Sequence, residues 1–293
     1  MSPLRLWVVA ARPRTLPAAV APVLVGTALA ASEDHFRGLA FAAALVGSIF
    51  IQIGTNLSND YSDARRGADT EDRLGPVRVT AGGLMPPRRV LVGTYVAFGI
   101  AVAAGLYLAA IAGWELLIVG AVSILAGVLY TGGPRPYGYE GLGEVFVFLF
   151  FGLVAVVGSY FVQTEELRWE AFALAVPVGL LASAILVVNN IRDVDTDRRA
   201  GKRTLAVRLG RQRARTLFVA MVALSFAVPV AIWLAGGLSA WVLIALAALP
   251  LAPPLVRTVL SHTDGPSLNK ALADSGRLLA VFSLLLAGGV LLS

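Results

Sequence analysis

The sequence contains no cysteine and only two histidines, which lie far apart among polar residues. Disulfides and thiolate metal sites are therefore excluded, and a zinc site built on histidines is disfavoured. Charged residues are scarce as well, at 14% of the 293 residues, while 57% are hydrophobic. Soluble domains carry about 25% charged residues. Because a soluble core cannot bury so much apolar surface, we predict an integral membrane protein.

Nine apolar runs approach the roughly 20 residues that a membrane-spanning helix needs. The first follows three arginines and leads directly into the next run, so we interpret it as a span rather than a cleavable signal. We predict an all-α integral membrane fold, one domain over 1–293, with nine transmembrane helices around a central cavity. The predicted spans are 16–31, 38–58, 90–112, 114–130, 143–163, 171–190, 215–235, 239–259 and 273–292.

The distribution of positive charge predicts the orientation of these spans. If the N-terminus is cytoplasmic, all of the 24 Lys and Arg residues except Arg37 and Arg168 fall on the cytoplasmic side. Such a bias is what the positive-inside rule predicts. We therefore expect a multi-pass protein of the cell (inner) membrane. The net charge of +6 lies in loops between apolar runs, which favours contacts with lipid headgroups or phosphates over nucleic acid.

Two long polar segments, 59–89 and 191–214, fall on that cytoplasmic side. Where each begins, acids and amides recur at a spacing that places them on one face of a helix. Several carboxylates on one face repel each other, and ionisable groups at membrane depth are costly. Mg²⁺ would offset this cost, since it is typically held by one or two carboxylates together with substrate phosphate oxygens. The two sets are Asn56, Asp60, Asp63 and Asn189, Asp193, Asp197.

Basic residues accompany both acidic segments. Arginine is suited to bidentate phosphate contacts. The two segments together therefore predict a Mg²⁺–diphosphate site at the membrane surface. Gly201 follows the second segment, and we expect it to let the backbone turn close to the site. The cations that we expect to contact substrate are Arg78, Arg192, Lys202 and Arg203.

A third polar segment, 130–144, is rich in glycine and proline and is expected to form a tight re-entrant loop. We count Tyr130 and Arg135 in this segment as candidate substrate-binding residues. Glu144 stands at the start of an aromatic run and either caps the helix that follows or contacts substrate. No Gly-x₄-Gly-Lys-Ser/Thr motif occurs, so a nucleotide-driven pump is unsupported.

With these motifs the sequence resembles the UbiA superfamily of intramembrane prenyltransferases. The resemblance covers nearly the whole chain and includes the pattern Asn56-x₃-Asp60-x₂-Asp63 and the pattern Asp193-x₃-Asp197-x₃-Gly201. The stretch 67–82, and Tyr130-Thr-Gly-Gly with Gly-Leu-Gly-Glu144, are similar to the branch that prenylates 1,4-dihydroxy-2-naphthoate in menaquinone synthesis.

The resemblance implies transfer of a polyprenyl chain from its diphosphate to the naphthoate, with decarboxylation, giving demethylmenaquinone. It implies Mg²⁺ on Asp60, Asp63, Asp193 and Asp197, with Asn56 and Asn189 also at the substrate. Arg78 or Arg135 is expected to bind the naphthoate carboxylate. The resemblance does not decide whether Asp69, six residues after Asp63, and Asp195 also ligate metal.

Three alternatives remain open at this point. One is the same chemistry on another acceptor, such as 4-hydroxybenzoate, homogentisate or a chlorophyllide. A CDP-alcohol phosphatidyltransferase would carry its acids in a single segment, whereas here two distant segments share them. An ion-coupled transporter is less consistent with the sequence, because transporter acids tend to lie near the membrane midplane and these lie at span ends.

Overall fold

The computed structural model describes residues 2–67, 74–75 and 77–293, and every regular element within these ranges is helical. Short 3₁₀ turns at Pro13–Thr15 and Tyr137–Glu140 join longer elements. The helices are α1 (Pro3–Ala11), α2 (Pro17–Ser32), α3 (Gly38–Arg65), α4 (Pro87–Ala112), α5 (Glu115–Leu129), α6 (Gly143–Val147), α7 (Ala155–Thr164), α8 (Trp169–Arg199), α9 (Leu205–Leu209), α10 (Arg211–Leu234), α11 (Ala252–Ser261) and α12 (Gly265–Leu291).

Each of the nine predicted apolar runs lies in this helical framework. Among the described residues, seven helices are long and apolar enough to cross a membrane. One of them, Gly143–Thr164, joins α6 and α7 through the π-helical segment Phe148–Val154. Another, Ala240–Ser261, consists of the 3₁₀ segment Ala240–Leu251 followed by α11. The pair α1 and α2, bent by 54° at Pro13–Thr15, gives an eighth candidate. The remaining run is α5, which is apolar but only 15 residues long.

The structure packs around α8. Its apolar stretch is 72% buried, whereas those of α3 and α4 are only 22% buried. Helix α8 packs against α10 and α12, and α12 in turn packs against α2. The main core cluster joins these elements through side chains such as Leu181, Phe218 and Phe282. This central position makes α8 a rigid support for any polar group that it carries.

Helices α3 and α8 continue beyond their apolar runs, as the spacing of their acids predicts. Helix α3 ends at Arg65 and α8 at Arg199, so both sets of acids and amides stand on the last turns of long helices. The chain then turns at Gly201, whose φ of 74° is readily adopted only by glycine. Asp69 lies outside the described residues.

Candidate active site

A cavity of about 530 Å³ lies where the ends of α3 and α8 meet the loop between α5 and α6. Acids, amides and cations line one end, and apolar residues of α4, α5 and the π-helical segment line the rest. Phe146, Phe150 and Phe151 contribute to this apolar wall, so part of the aromatic run faces the cavity. The site therefore combines a polar head region with a long apolar pocket.

Asp63 is the centre of the polar end. It is 1% exposed, and Tyr139 donates its hydroxyl hydrogen bond to Oδ1 at 2.5 Å. Arg78 donates to Oδ2 at 3.3 Å, and the Lys202 ammonium lies 3.6 Å from the same oxygen. Lys202 also lies 4.8 Å from the Tyr139 ring centroid, in cation–π geometry. Since Lys202 follows α8, this ion pair brings the two acidic segments together.

Asp193 and Asp197 line the same cavity from α8. Arg192 donates from Nε and Nη2 to the two oxygens of Asp193, at 2.7 and 2.5 Å. The same guanidinium bonds Asn189 and, on α12, Asn269. Arg192 is 1% exposed and does not line the cavity. It therefore fixes the Asp193 carboxylate from behind rather than facing a ligand.

Asp60 occupies a different position from the other three acids. Its Oδ2 and Oδ1 accept hydrogen bonds from the backbone amides of Val79 and Thr80, at 3.1 and 2.9 Å. It is 1% exposed and is not part of the cavity lining. The geometry therefore gives Asp60 a direct role in holding the loop that carries Arg78.

The remaining candidates divide into two groups. Asn56, Asn189 and Tyr130 line the cavity, and Asn56 also donates to the carbonyl of Ala11 and to Thr15. Arg135 and Arg203 are exposed and do not line it. Glu144 is buried behind the wall, where Oε1 accepts a hydrogen bond from Asn190 at 2.8 Å. Asp195 lies on the outer face of α8, paired with Arg211 at 2.8 Å.

The structure adds residues that spacing alone did not single out. Tyr139 bonds Asp63, and Asn59 accepts a hydrogen bond from Thr131 at 3.0 Å, so the 130–144 segment binds directly to α3. Asn190 lines the cavity next to Asn189. The glycine- and proline-rich composition of 130–144 was the only sequence signal for Tyr139.

The neighbouring Tyr137 has a different environment. Its ring stacks on Phe146, with centroids 4.0 Å apart. Burial raises the pKa of the Tyr137 phenol well above its usual range, because loss of solvent disfavours the phenolate. Tyr137 therefore lines the cavity with an aromatic ring that carries a neutral phenol.

The carboxylates at the polar end are suited to a hard divalent cation whose coordination shell is completed by a bound ligand. Within residues 2–67, 74–75 and 77–293, no three carboxylate or imidazole groups converge as a complete protein site for metal. Asp63, Asp193 and Asp197 nevertheless offer carboxylate oxygens to one cavity. Mg²⁺ is usually held in this way, by one or two carboxylates with phosphate oxygens and water completing its shell.

Comparison with known proteins identifies the family of the chain. The sequence profile of the UbiA prenyltransferase family matches residues 19–287. The chain belongs to the UbiA prenyltransferase family. The 1,4-dihydroxy-2-naphthoate octaprenyltransferase of Mycobacterium leprae is 42% identical over 98% of this chain and 96% of its own. The enzyme of the same name from Escherichia coli is 37% identical, covering 98% of this chain and 95% of its own.

A solved structure from the UbiA family has a similar fold. A UbiA homolog from Archaeoglobus fulgidus, bound to DMAPP and Mg²⁺, superposes with a TM-score of 0.66 at 15% identity. The match covers 96% of this chain and 98% of the other. The family and the helical spans together establish a multi-pass membrane prenyltransferase.

Proposed function

We propose that this member of the UbiA family transfers a polyprenyl chain from polyprenyl diphosphate to 1,4-dihydroxy-2-naphthoate, with loss of carbon dioxide, to give demethylmenaquinone. The observation that carries the proposal is the sequence identity of 42% and 37% to two curated enzymes of that name, in alignments that cover 98% of this chain. The cavity supports it, because a charged head region adjoins an apolar pocket. This arrangement suits a substrate with a diphosphate head and an isoprenoid tail.

In this proposal the diphosphate lies at the polar end of the cavity. Asp63, Asp193 and Asp197 would hold Mg²⁺, which would supply the Lewis acidity that makes diphosphate a better leaving group. Lys202 lies close enough to Asp63 to neutralise phosphate oxygens beside it. Asp60 contributes by keeping the Arg78 loop in place.

The prenyl tail extends along the apolar wall of the cavity, past Phe146, Phe150 and Phe151. The C1–O bond to diphosphate breaks, and the electron-rich ring of the naphthoate forms a bond to C1. The carboxylate then leaves the substituted carbon as carbon dioxide, and its electron pair restores the aromatic ring. Arg78, which lines the cavity, is the proposed contact of the carboxylate in place of the exposed Arg135.

Exclusion of water protects the allylic centre during this reaction. Tyr139 and Lys202 link the 130–144 segment, α3 and the turn after α8 at the polar end. In this proposal, that linkage restricts the entry of water. We further propose that nine spans cross the cell membrane and that this end faces the cytoplasm. The positive-inside distribution of Lys and Arg supports this orientation.

A reconstitution assay with an acceptor panel tests the proposal. Purified protein in nanodiscs is incubated with Mg²⁺, a polyprenyl diphosphate and either the dihydroxynaphthoate, 4-hydroxybenzoate or homogentisate, and products are identified by mass. We expect a decarboxylated prenyl naphthalenediol from the naphthoate. Product only from another acceptor would replace the substrate assignment. Solute flux into proteoliposomes that contain the protein, without any prenylated product, would favour the transporter alternative.

A further inference from the structure

Asn190 carries an unused hydrogen-bond acceptor at the cavity. The residue is 4% exposed and lines the cavity from α8. Its Nδ2 donates to Glu144 Oε1 at 2.8 Å. In its ionised form Glu144 only accepts hydrogen bonds, and this contact then sets the amide with its NH₂ toward Glu144 and its carbonyl oxygen away from it. No donor among the described residues bonds that oxygen, and it is not enclosed by protein.

Glu144 lies behind the cavity lining and is the hydrogen-bond partner of Asn190. It is 4% exposed, does not line the cavity, and its Oε2 finds no hydrogen-bond donor in the described part of the chain. Ser183 on α8 bonds the Glu144 backbone carbonyl at 3.1 Å, which fixes the start of α6 against α8. A buried carboxylate without a second donor is costly, so the arrangement is consistent with a functional role for the orientation of Asn190.

The depth of Asn190 places it below the proposed diphosphate site. At 1.5 Å per residue, it lies about 4.5 Å along α8 from Asp193 and about 10 Å from Asp197, on the same face of the helix. On the opposite helix, Asn59 Oδ1 is engaged by Thr131. Asn56 is held through Nδ2 by Ala11 and Thr15, so those protein contacts, rather than a ligand, set the orientation of its amide. The Asn190 oxygen is therefore positioned to meet an acceptor ring rather than the diphosphate.

We propose that Asn190 Oδ1 accepts a hydrogen bond from a ring hydroxyl of the aromatic acceptor, with Glu144 as the positioning residue that holds the amide in this orientation. The inference rests on the proposed function and deepens it by assigning the residue that selects a hydroxylated ring. A ring without a hydroxyl at that position leaves the buried acceptor unpaired, which disfavours its binding.

Inhibition by hydroxynaphthoates tests this assignment. 1-Hydroxy-2-naphthoate and 4-hydroxy-2-naphthoate each lack one ring hydroxyl of the dihydroxy acceptor, and their inhibition constants are compared with its KM in wild type and Asn190→Leu. Wild type is expected to bind one of the two about 10- to 100-fold more weakly than the dihydroxy acceptor. Asn190→Leu should reduce that discrimination to less than about threefold, because the acceptor oxygen has been removed.

Glu144 variants separate positioning from packing. Glu144→Gln keeps a carbonyl oxygen for Asn190 Nδ2 and should retain the discrimination, whereas Glu144→Leu should lose it. Gln163→Leu is the matched control: Gln163 is also a buried amide, 0% exposed, but its Oε1 accepts from the backbone of Arg37 away from the site. Gln163→Leu should discriminate between the dihydroxy acceptor and the monohydroxynaphthoates as strongly as wild type does. If Asn190→Leu does not fold, Glu144→Leu provides the same measurement with Asn190 in place.

Wild-type discrimination that persists in Asn190→Leu or Glu144→Leu would overturn the inference, as would equal binding of all three naphthoates by wild type. Failure of the proposed function is a different result. In that case wild type forms no prenylated product from the dihydroxynaphthoate while using another acceptor in the panel. If no hydroxylated ring is used at all, both proposals are overturned.

Discussion

The hydrogen bond between Tyr139 and Asp63 gives a sharp prediction about the polar end of the cavity. Tyr139→Phe removes one hydroxyl and retains the ring under Lys202. At 2.5 Å this is the shortest contact of Asp63, compared with 3.3 Å to Arg78 and 3.6 Å to Lys202. The substitution therefore frees the Asp63 carboxylate to turn while most of the surrounding charge remains.

The magnitude follows from the type of bond. A hydrogen bond to a charged group contributes about 1.5–3 kcal/mol, which corresponds to roughly a tenfold to hundredfold effect. Partners that orient metal-ligating carboxylates have effects of about 10–100-fold when removed. Because two cations still contact Asp63, we expect kcat/KM for polyprenyl diphosphate to fall by about tenfold to thirtyfold, with an increase in the Mg²⁺ concentration needed for half-maximal rate.

The assay measures initial rates in nanodiscs across a Mg²⁺ titration. Tyr61→Phe is the matched control, because the Tyr61 hydroxyl accepts a hydrogen bond from Arg65 and its ring also lies beside that cation, outside the cavity. It should change the rate less than about twofold. Equal rates and equal Mg²⁺ dependence for Tyr139→Phe and wild type would refute the role given to Tyr139.

Three further predictions concern packing, the Arg78 loop and the metal. Gly289→Ala should destabilise the protein by about 1–3 kcal/mol, because the added Cβ would lie 2.2 Å from the Trp241 backbone oxygen. At the neighbouring Gly288 an added Cβ meets nothing within 4 Å. Thermal unfolding should therefore show a lower melting temperature for Gly289→Ala and an unchanged one for Gly288→Ala. Asp60→Ala should cost about 1–3 kcal/mol by leaving two buried amides unpaired and make the Arg78 loop sensitive to limited proteolysis; unchanged stability and cleavage would contradict its role as an anchor. Chelation with EDTA should abolish product formation and Mg²⁺ should restore it, so full activity in EDTA would contradict a divalent-metal site.

The sequence predicted the helical framework because membrane helices are specified largely by apolar length. The seven spans that meet the length and composition test all contain runs identified from the sequence. The bend at Pro13–Thr15 and the shortness of α5 were not predicted. Their bounds depend on tertiary packing and on proline and glycine conformations, which hydropathy does not report.

Helical periodicity also located the acidic faces, since residues three, four and seven apart share a side of a helix. It could not separate Asn189 from Asn190, because Asn189 aligns with Asp193 at i+4 and Asn190 aligns with it at i+3. Periodicity also could not show that Asp60, unlike Asp63, lies outside the cavity lining. Its carboxylate is engaged by backbone amides about 20 residues further along the chain, a contact that no local pattern encodes.

The most direct test of the central claim is prenyl transfer by Asp193→Asn. Wild-type protein with Mg²⁺, polyprenyl diphosphate and 1,4-dihydroxy-2-naphthoate should release carbon dioxide and form a prenylated naphthalenediol in equal amounts. Asp193→Asn keeps one oxygen for Arg192 but turns an NH₂ toward the second guanidinium N–H, so thermal unfolding of the variant is measured alongside its rate. In folded protein it should lose at least about 100-fold in rate, because Lewis-acid stabilisation by the metal is worth several kcal/mol. Wild-type rates in this variant, or no such product from wild type, would contradict the account.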